Sequence, residues 1–433
     1  MLHHNSRIVV SQALVVAASI LLLAGSAWAA NYKVMYNFTP TSSTPSSGLI
    51  TDTAGNAYGA TLAGGHDNSG TVYQLSPETG YHLLYAFSRV NSAGGLMPQG
   101  NLAFDSSGNL YGTTVTGGVK SATCVVGCGV VFKLTPSSNG GLWTETVLYN
   151  FCSQVNCADG AAPQAGVIFD STGNLYGTTK AGGAGQGCTG GCGTVFKLSL
   201  AGDVWTENVL YDFPVLPDGA EPVGSLIFDL SGNLYGTTEG GGDGSGGTVF
   251  ELSPSSDGWV QNILYSFQNF AGSTDGAGPL GGLVLDGSGN LYGTTATGGA
   301  FGSGNDSGFG TVFELSPGQG GWIETILYNF AGGNDGADPR STLVFDSQGN
   351  LYGTTFEGGE SRICNGFGCG TAFRLSPTEA GEWSESLFRF SSDQVGLQPT
   401  GLLLLDSAGI VYGTTTAGGA HSANAGVVFR ILP

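Results

Sequence analysis

Four close cysteine pairs, three histidines downstream of residue 30 and a set of Asp-Gly dipeptides are the residues of this chain whose types and spacing suit chemistry. The cysteines stand as Cys124 with Cys128, Cys152 with Cys157, Cys188 with Cys192 and Cys364 with Cys369. In an exported chain, an even count at such spacing reads as disulfides that pin loops, each small ring contributing about 2 kcal/mol on the chain-entropy model. Zinc is the alternative for Cys124, Cys128, Cys188 and Cys192, which come from neighbouring repeats, but the three-residue spacing and an oxidising compartment favour disulfides. Asp159, Asp218, Asp275 and Asp335 each precede a glycine. A ring of such carboxylates would bind Ca²⁺, a cationic group or a sugar, since hard cations take several oxygen ligands. Asp-Gly is also a standard turn former, which makes a structural role the simpler reading. No cofactor is expected, Ca²⁺ at these carboxylates being the alternative.

The histidines are His66, His82 and His421, and His66 and His421 both lie just after a Gly-Gly. Such a pair can hold a metal or act as acid and base, although no third group is evident to orient it. The Gly-rich stretches lack the Gly-Lys-Ser/Thr ending of a phosphate loop, so a nucleotide site is unsupported. Trp143, Trp205, Trp259, Trp322 and Trp383 recur at about one per repeat, a regularity that favours covering sheet edges over stacking on sugars.

What positions these residues is a repeat. Leu-Tyr-Gly-Thr-Thr or a close variant places its tyrosine at Tyr58, Tyr111, Tyr176, Tyr235, Tyr292, Tyr352 and Tyr412. The mean spacing is about 59 residues, above the usual length of a propeller blade by the size of the Gly-rich inserts. Each unit holds four short β-branched or aromatic runs, seen around Tyr176 as 167–169, 175–179, 194–198 and 209–213. Asp170 to Asn174 closes a tight hairpin between the first two, and Asp105, Asp229, Asp286, Asp346 and Asp406 repeat it. Gly177 removes bulk so that an aromatic side chain of the neighbouring sheet can approach. In the fourth run, Val209, Tyr211 and Phe213 share one side and Leu210 the other. Residues 32–38 form a lone fourth run and 427–432 a final third run. The chain therefore closes on itself: an all-β, seven-bladed propeller of four antiparallel strands per blade, with the N-terminal strand completing the last blade.

Composition bounds the rest. The 433 residues include 77 Gly and only 10% charged side chains, which excludes coiled coils, while 40% hydrophobic content argues against bulk disorder. A basic start, an apolar run from Ala13 to Leu23 and Ala27-Trp28-Ala29 give a signal peptide over residues 1–29, too short in its apolar part to span a membrane. A single propeller domain then fills 30–433. It retains 11 basic against 32 acidic side chains, a field that repels nucleic acid and anionic lipid. No later stretch is long enough to span a membrane, and a monomer is expected.

The phrases Gly-Asn-Leu-Tyr-Gly-Thr-Thr, Gly-Gly-x-x-x-x-Gly-Thr-Val-Phe and Val-Leu-Tyr-Asn-Phe resemble the tandem GloVer repeats of exported bacterial proteins called choice-of-anchor. The resemblance covers residues 32–433. It implies an exported or surface-held repeat protein and supplies no catalytic residues; the sorting tail common in that family has no counterpart after Pro433, which puts surface attachment in question. The expected function is a non-catalytic binding or scaffold propeller, with a protein or glycan partner on the face carrying the Asp-Gly turns. The alternative is a metal-assisted lyase or hydrolase working at the central mouth through His66, His421 and nearby carboxylates.

Overall fold

The computed structural model describes residues 32–90, 93–120, 124–185, 187–214, 217–269, 274–301, 308–359, 364, 366–420 and 424–432. The export segment expected over 1–29 lies outside them. Among the described residues there is no α-helix, and the strands form seven blades in a ring.

The hairpin between the first and second strands shows how sequence sets local structure. In blade 3, Asp170 Oδ1 accepts the backbone N–H groups of Thr172 and Asn174, both at 2.9 Å. Its Oδ2 accepts the Asn174 amide at 2.7 Å and the Tyr176 hydroxyl at 3.1 Å. Burial alone would raise this carboxyl, but these bonds to its charged form outweigh it and hold Asp170 at about 2. Asp52, Asp105, Asp229, Asp286 and Asp346 are bonded alike and also held below the usual carboxylate range.

The second strand, Leu175–Thr179 in blade 3, is buried throughout. A Cβ on Gly177 would stand 2.7 Å from Phe196 Cζ. Phe196 is the cross-strand partner of Gly177 in the third strand of the same blade, which corrects the expectation of an aromatic from the neighbouring sheet. The neighbour instead supplies Phe151, edge-on to Phe196 at 5.0 Å. An equivalent aromatic pair recurs at each joint, from Phe38 with Tyr73 to Phe390 with Phe429. The core is accordingly seven apolar clusters, one at each joint between blades.

The fourth strand carries a bulge. In blade 3 the register shifts between Val195 and Phe196, which turns Leu210 inward to 9% exposure; the strict alternation expected there fails for that reason. Blade 6 lacks the bulge, because Trp383 and Phe390 are one residue closer than Trp143 and Phe151.

Ring closure follows the expectation. Tyr32–Asn37 pairs antiparallel with Val427–Ile431, from Tyr32 opposite Ile431 to Asn37 opposite Val427. Tyr32 stacks on Phe388 of blade 6 at 4.3 Å, so the borrowed strand also packs against the preceding blade. First strands line the axis around an apolar cavity of about 700 Å³ that includes Ile50, Ile168, Val344 and Leu404.

Candidate functional site

Where each blade's chain turns down toward the axis it passes through a residue followed by proline: Thr44, Met97, Ala162, Glu221, Gly278, Asp338 and Gln398. All seven have positive φ, between 53° and 65°. Six are not glycine, and such a conformation costs an L-residue about 1–2 kcal/mol. Two contacts impose it. The residue's N–H donates to a carbonyl of the preceding blade, as from Ala162 to Cys128 and Glu221 to Cys192, both at 2.8 Å. The proline ring packs on a glycine there, Pro163 on Gly129 and Pro222 on Gly193. These locks place the residue after each proline at the axial mouth, where in four blades the residue after Thr-Thr or its variant joins it.

At these positions the sevenfold pattern breaks. The positions after proline are Ser46, Gln99, Gln164, Val223, Leu280, Arg340 and Thr400; those after Thr-Thr are Leu62, Val115, Lys180, Glu239, Ala296, Phe356 and Thr416. All of these but Val115, Ala296 and Phe356 line, with Thr44, a mouth of about 370 Å³. Its charges gather on blades 3, 4 and 6. Lys180 Nζ lies 2.6 Å from Glu239 and 3.1 Å from Glu221. Arg340 Nε bonds both carboxylate oxygens of Asp338 at 2.9 Å, and its guanidinium lies 4.2 Å from the Phe356 ring centre. Burial would lower both cations; the carboxylates outweigh it and raise them, Glu239 and Glu357 adding to the hold on Arg340. Between these ion pairs blade 5 presents only Gly278, Leu280 and Ala296, leaving a notch flanked by an acid and a cation.

The Asp-Gly carboxylates do different work. Asp159 is fully buried and accepts from Tyr149 Oη at 2.8 Å, Ser153 N and Oγ, and Gln154 N. Asp335 accepts from Tyr328 Oη, Ala331 N and its own Gly336 N. Asp275 is bonded by Tyr265 Oη and Gln268 N, and Asp218 by Tyr211 Oη. These four side chains accept hydrogen bonds at the joints between one blade and the next.

A glutamate from the next blade completes four of the joints. Glu145 accepts from Tyr85 Oη at 2.7 Å and Gly95 N at 3.0 Å and is raised by burial; at the other three an aspartate stands beside the glutamate. Tyr265 Oη lies 3.1 Å from Glu324, and Tyr328 Oη 2.7 Å from Glu385; Glu207 stands likewise by Asp159. Burial, then the charge of the aspartate, pushes Glu207 up to about 7 and Glu385 to about 8, and raises Glu324 in the same way. Their Oε1 atoms are buried and receive no N–H or O–H, as fits an acid that keeps its own proton. Blade 4 has Gln261 at this position, its amide donating to the Asp218 carbonyl at 3.2 Å.

His66 and His82 are exposed, and His421, with which His66 was expected to pair, lies outside the described residues. The tryptophans cover neighbouring blades, Trp143 by Tyr58 at 6.4 Å and Trp259 by Tyr176 at 6.3 Å between ring centres. All eight cysteines are in disulfides of the expected pairing. Cys188 bonds Cys192, and it is Cys152 and Cys157, not Cys188 and Cys192 as in the zinc alternative, that stand beside Cys124 and Cys128. Sequence reasoning missed the mouth, although a comparison of the repeats for positions that do not repeat would have found it.

A closed ring of four-stranded blades with an asymmetric polar mouth defines a β-propeller built from tandem repeats. The model of the Gloeobacter/Verrucomicrobia repeat matches residues 26–186, 118–362 and 302–433, and the chain belongs to that family. No curated protein matches it. Among solved structures it is similar to a polysaccharide lyase of family PL25, an ulvan lyase, with TM-score 0.52 and 11% identity over 93% of this chain and 94% of that one. That lyase has been solved both alone and bound to -[GlcA(1-4)Rha3S]-. A protein of unknown function from Dyadobacter fermentans aligns with TM-score 0.44 and 10% identity over 93% of this chain and 98% of that one.

Proposed function

We propose that this chain is an exported binding propeller whose axial mouth takes a hydroxyl-rich ligand of the carbohydrate class, neutral or cationic overall. The observation that carries this reading is the loss of repeat symmetry at the mouth, on positions whose backbone repeats. A scaffold that repeats Tyr-Gly-Thr-Thr six times, and once as Tyr-Gly-Ala-Thr, has chosen different side chains where blade meets axis. Glu239 and the Arg340 N–H groups that Asp338 does not engage pair an acceptor with donors, a fit for vicinal hydroxyls. Carboxylates outnumber cations around it, which disfavours uronates and sulfated sugars. Four disulfides support an oxidising, extracytoplasmic setting, and the signal-peptide pattern of residues 1–29 supports export.

The second reading is cleavage of a polysaccharide at the same mouth, favoured by the fold likeness to the ulvan lyase. Against it stands the state of the mouth cations, both bound to carboxylates and held protonated, which suits recognition better than proton abstraction. Calorimetry with neutral, amino and uronate oligosaccharides, alongside an assay for new unsaturated ends, separates the readings. Binding that Arg340→Met and Glu239→Gln abolish without lowering the melting temperature supports the first. Chain cleavage lost in Arg340→Met would replace it with the second, and binding untouched by both substitutions would remove the mouth from either.

A further inference from the structure

We propose that Cys124, Cys128, Cys152 and Cys157 form a zinc site once their two disulfides are reduced. The four sulfurs all lie within 4.8 Å of one another. A tetrahedral zinc with Zn–S bonds of about 2.3 Å needs sulfurs about 3.8 Å apart, so about an ångström of movement suffices. The three- and four-residue spacings of the two pairs fall within the range of zinc loops.

The loops are positioned by more than their S–S bonds. Gly127 N donates to Cys124 O at 3.0 Å and Ala162 N to Cys128 O at 2.8 Å; Cys152 N donates to Gly160 O at 3.0 Å and Cys157 N to Gln154 O at 3.1 Å. Gly183 N further donates to Cys157 O at 2.8 Å. These backbone bonds survive reduction, so the thiols remain clustered. Cys128 and Cys157 are 2% and 6% exposed, which shields a metal from competing water. The Cys188–Cys192 and Cys364–Cys369 pairs belong to no such four-sulfur group among the described residues, and they provide internal controls.

The chemistry balances. Two equivalents of a dithiol break the two S–S bonds, supply four electrons and four protons, and leave as two cyclic disulfides. Zinc then displaces four protons and forms four Zn–S bonds. An oxidant of the disulfide class reverses the sequence, releasing the metal, so the cluster couples metal content to redox state.

The test uses the full mature chain, reduced without denaturant by dithiothreitol, freed of it under anaerobic conditions, and titrated with Co²⁺ and then Zn²⁺. One metal per chain, thiolate-to-cobalt absorption that zinc abolishes, and at least tenfold slower alkylation of these four cysteines alone are expected. Paired serine replacements at 188/192 and 364/369 should leave all three unchanged, whereas Cys128→Ser should lose them. The proposal falls if zinc leaves the four alkylation rates unchanged in the wild-type chain, if metal binds equally well at the control pairs, or if reduction alone dissolves the ring as seen by circular dichroism.

Discussion

Raising the pH from 5 to 9 should loosen the propeller, and the three joint glutamates that stand beside an aspartate set most of the effect, Glu145 adding a smaller part. Glu207, Glu324 and Glu385 have folded-state pKa values above their unfolded ones, so the native state binds more protons than the unfolded chain in between. Their contribution is complete below the unfolded value near 4.5 and is lost as pH rises through about 7 to 8. At 1.36 kcal/mol per pKa unit the full displacement of Glu385 corresponds to about 5 kcal/mol. Water reaches these groups in part, so about 1.7 kcal/mol per joint, or about 5 kcal/mol in all, is the working figure. For about 400 ordered residues the unfolding entropy is about 0.8 kcal/mol/K, so the melting temperature should fall by about 6 °C. The natural Gln261 shows that an uncharged amide fits this position. The triple variant Glu207→Gln, Glu324→Gln, Glu385→Gln should therefore fold and lose most of the slope in calorimetry at pH 5, 7 and 9. Net charge of −20 also destabilises at high pH, but salt screens that part and leaves the buried one. An unchanged slope in the triple variant at high salt would refute the reasoning.

Further expectations concern the joints, the clasp and the hairpins. Gly177→Ala should cost about 2 kcal/mol in denaturant unfolding, because its Cβ would meet Phe196 while the backbone there tolerates alanine. Tyr32→Ala should cost about 3 kcal/mol through lost stacking on Phe388 and make the N-terminal strand the first site of limited proteolysis; cleavage starting elsewhere would argue against the clasp. Asp170→Asn should lower stability by about 1–2 kcal/mol near pH 7, with the difference from wild type vanishing as pH falls toward 2, where the wild-type carboxyl also loses its charge.

The ring was legible because its signal is repeated and its ends are complementary: Tyr32 to Phe38 is a fourth strand without a blade, and Val427 to Leu432 a third strand without a successor. The hairpin aspartates were legible for the same reason. Leu210 was misplaced because alternation assumes a regular strand, and the bulge that turns it inward has no residue of its own to announce it. The partner of Gly177 was misassigned because a missing side chain says that something approaches, and not from which sheet. Trp-x-Glu at Trp205, Trp322 and Trp383 did contain the joint glutamates that stand beside an aspartate, each on an alternating strand where an acid should face water. What hid their role is that the aspartate they meet comes from the linker before their own blade. The mouth was overlooked because attention to what repeats passes over the positions that differ.

The proline locks at the mouth have one more consequence. Each is made of backbone hydrogen bonds and a proline ring, so the lock itself does not use the side chain at the strained position. Threonine, methionine, alanine, glutamate, aspartate and glutamine already occupy equivalent sites on an unchanged frame. The inner rim is thus an interchangeable socket, and a chain that needs a new ligand can be refitted one residue at a time without renegotiating its architecture.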